Sequence, residues 1–199
     1  MPRDRRDLRR QLLGLAAIQS GYFTAAQAKH IGYSYQAQKY HADAGNWVRI
    51  DRGLYRLPEW PVGQHDHFVR WTLWSHGRAV VSHESALSVH DLGDVNPTVI
   101  NLTVPPGFAQ KHDDHLAIHK GDLPDTDVYG FEGFRVTTPL RTLLDVAATS
   151  ASQEVVDRAV ADALREGVVS RRQLLRRADE FGPSAALLIE RALSAAAPS

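Results

Sequence analysis

The sequence of 199 residues contains no cysteine and a single methionine. Without cysteine, the chain has no disulfide bonds and no cysteine-ligated zinc. Its apolar runs are far shorter than the roughly 18 residues that a membrane-spanning helix needs. The charged residues 1–6 are not followed by the apolar segment of a signal peptide. We therefore expect a cytoplasmic protein that has no membrane partner.

Sequence motifs of catalysis and cofactor binding are missing as well. The chain has no glycine-rich phosphate loop, no dinucleotide fingerprint and no nucleophile elbow. His83-Glu84 begins like a zinc-protease motif, but Leu87 stands where the second histidine belongs. The polar segment 112–115 (HDDH) is interpreted as a solvated loop. We expect no catalytic residue, no metal, no cofactor and no enzymatic activity.

The formal net charge is zero, because 23 basic residues balance 23 acidic ones, but the charges are unevenly distributed. Residues 1–60 carry ten Lys and Arg against five Asp and Glu, a net charge of +5. Residues 61–199 carry thirteen against eighteen, a net charge of −5. This asymmetry favours a first part that binds a polyanion.

The first sixty residues have the pattern of a winged helix-turn-helix. Apolar residues recur at helical spacing over residues 8–16, with the arginines of residues 5–10 on or near the opposite face. Gly21 ends this helix, and Tyr22 and Phe23 turn the chain inward. Thr24 and Ser34 are suitable N-caps for two short helices that are joined by a turn at Gly32. Residues 47–57 then alternate as a hairpin around residues 51–53, the expected wing.

The third helix and the hairpin supply the candidate DNA contacts. Glutamine reads adenine, lysine reads guanine or holds phosphate, and arginines of a wing reach the phosphate backbone. The predicted contact residues are Ser34, Tyr35, Gln36, Gln38, Lys39, His41, Arg49, Arg52 and Arg56. The same composition also suits a solvated helix, and winged helices that bind only proteins have this pattern too.

The rest of the chain places strands before helices, which predicts an α+β domain with a small sheet covered by helices. Strands are expected at 80–81, 98–104 and 115–119, with a hairpin at 128–136; helices are expected at 64–76 and 83–92, and from 138, 152, 170 and 183 onward. The expected domains are 1–60 and 64–199. A secondary basic patch is expected on a late helix, at Arg171, Arg172, Arg176 and Arg177.

Several segments closely resemble the AbiEi family of antitoxins and transcriptional regulators from type IV (AbiE) toxin–antitoxin systems. In the first domain these are GYFTAAQA at 21–28, GYS at 32–34 and VRIDRGLYRLP at 48–58. In the second they are VSHESAL at 81–87, NLTVP at 101–105 and VTTPLRTLLD at 136–145. The third helix departs from the pattern, because relatives often carry several arginines there.

The resemblance implies an antitoxin that represses its own operon by binding inverted repeats of double-stranded DNA in the promoter. It also implies that the second domain counteracts a cognate toxin similar to nucleotidyltransferases, directly or indirectly. Two other functions fit the residues: a solitary winged-helix transcriptional regulator, and a protein-interaction adaptor that does not bind DNA. The sequence leaves the oligomeric state and the operator open.

Overall fold

The computed structural model describes residues 4–112, 114–149 and 152–196. The chain divides into two compact units. The first runs to Gly77 and also includes Gly130–Phe134. The second comprises Arg78–Tyr129 and the chain from Arg135 onward. Asp113 of the polar segment 112–115 lies outside the described residues.

The first unit combines helices with a small antiparallel sheet. Its helices are α1 Arg5–Ala17, α2 Ala25–Ile31, α3 Tyr35–Asp43 and α4 Asp66–Trp74, and its strands are β1 Tyr22–Thr24, β2 Val48–Asp51 and β3 Leu54–Arg56. The strand order is β1-β3-β2, and both pairings are antiparallel. Tyr22 and Phe23, which were expected to form a turn, pair with β3 instead, because the return strand of the hairpin leaves a free edge for them.

The caps that the sequence indicates are formed. Thr24 and Gln27 make a reciprocal capping box: the Thr24 hydroxyl accepts from the Gln27 amide at 3.1 Å, and the Gln27 side chain accepts from the Thr24 amide at 2.7 Å. Ser34 Oγ accepts from the Ala37 amide at 3.2 Å and so begins α3. Local sequence signals therefore set the first turns of both helices in the helix-turn-helix.

An aromatic cluster joins these helices to the sheet. The Phe23 and Trp47 rings meet edge to face at 4.8 Å, and Tyr33 meets Trp47 at 5.0 Å. The buried core of the first unit consists of Leu12, Ala16, Phe23, Ala28, Ile31, Tyr33, Trp47 and Leu57. Since aromatic side chains bury a large apolar area, this small unit obtains a core from few residues.

The first unit continues past the domain boundary expected near residues 60–64. Arg56 of β3 donates to Asp66 of α4 at 3.1 Å, and the two side chains are only 12% and 10% exposed. Phe68 of α4 packs against Phe134 at 5.2 Å. Because a buried charge needs its partner, α4 belongs to the compact unit that contains the hairpin.

The second unit contains strands and helices in the order that the sequence predicts. Its strands are β4 Val80–Val81, β5 Ile100–Val104, β6 Leu116–Lys120, β7 Val128–Phe131 and β8 Phe134–Thr137, and its helices are α5 His83–Val89, α6 Pro139–Ala148, α7 Gln153–Arg165, α8 Arg171–Ala178 and α9 Pro183–Ala195. The end of β7 and the first residue of β8 fall within Gly130–Phe134, which is assigned to the first unit. The sheet order is β6-β5-β4-β8-β7. β5 runs parallel to β6, β4 runs parallel to β8, and β4 runs antiparallel to β5. The predicted α+β fold class is confirmed.

Helices α5–α9 enclose the main apolar core of the second unit. α6 begins at Pro139, behind a Thr138 cap whose hydroxyl accepts from the Arg141 amide. Leu143 and Leu144 of α6, Leu174 of α8 and Ile189 of α9 are each at most 1% exposed within this core. Apolar residues at helical spacing thus fix how these helices pack.

A buried ion network lies beside this helical core. The Arg177 guanidinium donates to both carboxylate oxygens of Asp127, at 2.7 and 2.9 Å, and Arg141 donates to Asp127 at 3.2 Å. Arg141 also donates to Asp145 at 2.8 Å. The hydrogen bond from Arg177 lowers the pKa of Asp127, whereas burial raises the pKa of Asp145 to about 6. Arginines from two helices therefore meet at one buried carboxylate.

Candidate nucleic-acid interface

The exposed face of α3 is a continuous polar row. It consists of Tyr35, Gln36, Lys39, Tyr40 and Asp43, whose spacing places them on one side of the helix. Tyr35 and Tyr40 are 62% and 66% exposed, and the Lys29 ammonium lies over the Tyr35 ring at 4.7 Å. Lys39 contacts Asp43 at 2.6 Å, an exposed pair that contributes little to stability.

Tyr40 and Asp43 were not among the predicted contact residues. Helical spacing could have identified both, because Tyr40 lies four residues after Gln36 and Asp43 lies four residues after Lys39. Ser34, which was predicted as a contact, is the exposed N-cap of α3, and its Oγ accepts from the Ala37 amide. The amino-terminal turn of α3 is therefore open to a partner.

Gln38 does not belong to this row. Its side chain is 1% exposed and donates to the main-chain oxygens of Ala25 and Tyr33, both at 3.0 Å. These two hydrogen bonds connect α3 to the first residue of α2 and to the turn between the two helices. The prediction that Gln38 faces a DNA groove is corrected, because its donors are used inside the unit.

His41 lies at the carboxyl end of α3, where it packs against the aromatic cluster. Its ring stacks on Trp47 at 4.9 Å with 16° between the planes, and it meets Tyr33 edge to face at 5.4 Å. Burial, and then the nearby charge of Arg5, lower the pKa of His41 below its ordinary value. His41 is half-buried, so its first role is to fix the end of α3 on the hairpin.

The hairpin separates its arginines by strand alternation. Arg49 lies directly opposite Tyr55, and Tyr55 packs on Phe23 and Trp47, so Arg49 faces the side of the sheet that the helices cover. Arg49 is exposed at the edge of that side, and Arg52 is exposed in the turn. Within the described residues neither arginine has an ion-pair partner. Both guanidinium groups are therefore available to phosphate.

Arg56 points to the other face of the sheet. It lies opposite Tyr22 and Val48, and its guanidinium stands over the Tyr22 ring at 5.4 Å. It donates to the Pro61 carbonyl at 2.8 Å and to Asp66 at 3.1 Å. The prediction of Arg56 as a phosphate contact is corrected, because this side chain is 12% exposed and is held by Asp66.

The secondary basic patch on α8 is divided by the structure. Arg177 is bound by Asp127, and Arg171 donates to the Leu193 carbonyl at 2.6 Å. Arg172 and Arg176, four residues apart and both exposed, remain on the outward face. The patch that the sequence suggested is thus reduced to two arginines, with the exposed Leu175 between them.

A polar cluster that the sequence did not indicate lies in the second unit. The His83 and His119 rings stack at 3.5 Å, Ser82 Oγ contacts His83 Nδ1 at 2.9 Å, and Thr103 donates to Ser82 at 2.8 Å. Burial, and then the neighbouring His119 and Arg141, lower the pKa of His83 to about 3. Burial also lowers the pKa of His119, so both rings favour the neutral form, which permits their close stacking.

Histidines and carboxylates do not converge in the part of the chain that the structure describes. Among those residues, no group of three His, Cys, Asp or Glu side chains has a geometry that would hold a metal ion. The same residues include no helix of the length and apolar character that a bilayer crossing requires.

Comparison with known proteins extends over both units. A family model described as "Transcriptional regulator, AbiEi antitoxin" matches residues 10–58. A second model, described as "AbiEi antitoxin C-terminal domain", matches residues 79–193. Together they cover the helix-turn-helix with its hairpin and nearly all of the second unit. The chain belongs to the AbiEi antitoxin family, which confirms the resemblance drawn from the sequence.

A solved structure has a similar fold. It is a crystal structure of the RV2827C protein from Mycobacterium tuberculosis, with a TM-score of 0.53 and 14% sequence identity. The similarity covers 99% of this chain and 84% of that one. At this identity the likeness concerns the fold alone. No curated protein sequence matches the chain.

Proposed function

We propose that this chain is the antitoxin of an AbiE-type system and represses its own operon. The first unit binds inverted repeats in the promoter, and the second counteracts a toxin similar to nucleotidyltransferases. The chain acts by binding and not as an enzyme. Family membership supports the antitoxin and regulator roles, and the face of α3 supports DNA as the partner of the first unit.

The observation that carries this proposal is the open face of α3 beside an arginine-bearing hairpin. Gln36 and Lys39 are exposed on α3, directly behind the Ser34 cap. The amino-terminal turns of a recognition helix are the part that meets base edges in the major groove. Arg49 and Arg52 then lie on the element that flanks the groove, where phosphates are the partners. This arrangement supports base reading by α3 and phosphate binding by the hairpin.

The phosphate contacts are tested by the salt dependence of binding. Each phosphate contact contributes about −0.9 to the slope of log affinity against log salt. Arg52→Ala should therefore make the slope of the full chain on its own promoter shallower by about 0.9. Arg158→Ala, an exposed arginine of α7, is the matched control and should leave the slope unchanged. An unaltered slope in Arg52→Ala would remove the hairpin from the interface.

Repression and neutralisation can be separated in cells with the full chain. The toxin is expressed from an unrelated promoter, and a reporter is placed behind the chain's own promoter. The Arg49→Ala/Arg52→Ala variant should lose repression and still rescue the cells, because toxin neutralisation is assigned to the second unit. Loss of rescue together with repression contradicts this division. Rescue without any binding of the unaltered chain to DNA would identify an adaptor instead.

A further inference from the structure

Helix α1 carries a stripe of residues that is buried at one end and exposed at the other. Arg5, Arg9, Leu12 and Ala16 follow each other at intervals of four, three and four, so these two arginines share the side of Leu12 and Ala16 and do not lie on the opposite face expected from the sequence. Leu12 and Ala16 are at most 2% exposed, in the same core cluster as Tyr33 and Trp47. The stripe therefore continues from that core to two exposed arginines.

The charges of the two arginines act on one residue before α3 and on one near its carboxyl end. The charge of Arg5 is close enough to lower the pKa of His41, the residue near the carboxyl end of α3, after burial has done so. The charge of Arg9 similarly opposes the burial that raises the pKa of Tyr33, which immediately precedes the α3 cap. Tyr33 and His41 are themselves in ring contact at 5.4 Å, so the charges of Arg5 and Arg9 act on the same aromatic cluster.

Neither guanidinium is held firmly by the protein. Within the described ranges Arg5 forms no ion pair, and Arg9 approaches Glu59 at 3.8 Å. The Arg9 and Glu59 side chains are 73% and 51% exposed, so water and salt screen that contact. Guanidinium groups in this condition bind phosphate oxygens through charge-assisted hydrogen bonds.

We propose that Arg5 and Arg9 form a third DNA-contact element, which binds backbone phosphates beside the groove occupied by α3. This inference rests on the proposed function of the first unit and adds contacts that the sequence did not assign. The partner is the phosphate backbone, because the two groups are cationic, exposed and one turn apart on α1. The contact is independent of base sequence and adds affinity without adding base readout.

The same helix supplies a matched control pair. Arg6 and Arg10 follow Arg5 and Arg9 by one residue, so they are turned about 100° around the helix axis. Arg10 donates to Asp7 at 2.6 Å, on the outer side of α1. Arg6→Ala/Arg10→Ala removes the same charge from the same helix as Arg5→Ala/Arg9→Ala, with the same gain in helix propensity. The two double variants differ in the surface that they change.

The test is the affinity of the full chain for its promoter at 50 and 200 mM salt. Two phosphate contacts contribute about −1.8 to the slope. The advantage of the unaltered chain over Arg5→Ala/Arg9→Ala should therefore shrink about twelvefold across this salt range. Arg6→Ala/Arg10→Ala should show a constant ratio to the unaltered chain. Circular dichroism verifies that both variants are folded.

Other outcomes overturn the inference. Equal effects of the two double variants would indicate a general charge effect, and no effect of either would remove α1 from the interface. An unchanged slope with lost rescue from the toxin would assign the surface to a protein partner. If the unaltered chain binds the promoter, and Arg52→Ala weakens this binding while Arg5→Ala/Arg9→Ala does not, only this inference fails. If the unaltered chain does not bind at all, the proposed function fails with it.

Discussion

Replacement of Asp127 by alanine tests the ion network of the second unit. Asp127 is 2% exposed and accepts three hydrogen bonds, two from Arg177 and one from Arg141. Removing one partner of a buried ion pair costs about 3–5 kcal/mol, because the remaining charge is left uncompensated. Arg141 keeps Asp145, and Arg177 keeps the exposed Glu180. The lower end, about 3 kcal/mol, is therefore the expected loss of unfolding free energy.

Urea unfolding at pH 7 measures this loss. All four tryptophans, Trp47, Trp60, Trp71 and Trp74, lie in the first unit, so tryptophan fluorescence reports that unit and far-ultraviolet circular dichroism reports the helices of both. Asp127→Ala should lower the dichroism midpoint by about 1–3 M urea. Asp125→Ala, two residues away and exposed, is the control and should change stability by less than about 0.5 kcal/mol. A loss below about 1 kcal/mol in Asp127→Ala would refute the reasoning.

Three further predictions concern His83, Gly133 and Gln38. The folded pKa of His83, about 3, lies below its ordinary value, so the unfolded chain binds the proton first and stability falls as the pH drops from 6.5 towards 3. Asparagine tolerates the positive φ of 52° at this position, so His83→Asn should lose less stability than the unaltered chain between pH 7 and pH 5. Asp145, whose raised pKa acts in the opposite direction, is present in both proteins. An equally steep loss of stability in both proteins contradicts the assignment. Gly133→Ala should destabilise the first unit by more than about 1 kcal/mol in fluorescence-monitored unfolding, because a Cβ there lies 2.6 Å from the Ile18 carbonyl oxygen at a φ of 90°, and an unchanged midpoint argues against this contact. Gln38→Ala should cost about 1–2 kcal/mol in the same assay and leave the DNA sequence preference intact, whereas an altered preference would return Gln38 to the interface.

Local signals in the sequence predicted the elements of the first unit well. Thr24 and Ser34 begin α2 and α3 as expected, because a cap is decided by neighbouring residues. Strand β1 was missed, since three residues carry too little periodicity and its pairing with β3 depends on the folded hairpin. The types of the other elements of the first unit could thus be predicted from the sequence, whereas strand β1 could not.

The candidate site shows the same limit at the level of side chains. Arg49 and Arg56 look equivalent in sequence, but the pairing register turns Arg49 towards the helical side and Arg56 towards Asp66. Gln38 is removed from the surface by main-chain acceptors 5 and 13 residues away. Arg177 is held by Asp127, 50 residues earlier in the chain. Partners at such separations are set by tertiary packing, and periodicity carries no information about them.

The most direct test of the central claim is a comparison of two DNA duplexes at physiological salt. One carries the promoter of the chain's own gene, and the other has the same base composition in shuffled order. Specific DNA-binding proteins typically prefer their site at least about 10³-fold over other DNA. Fluorescence anisotropy with the full chain should give a ratio of about that size, and Gln36→Ala/Lys39→Ala should reduce it. Equal affinities for the two duplexes would contradict the account that α3 reads an operator.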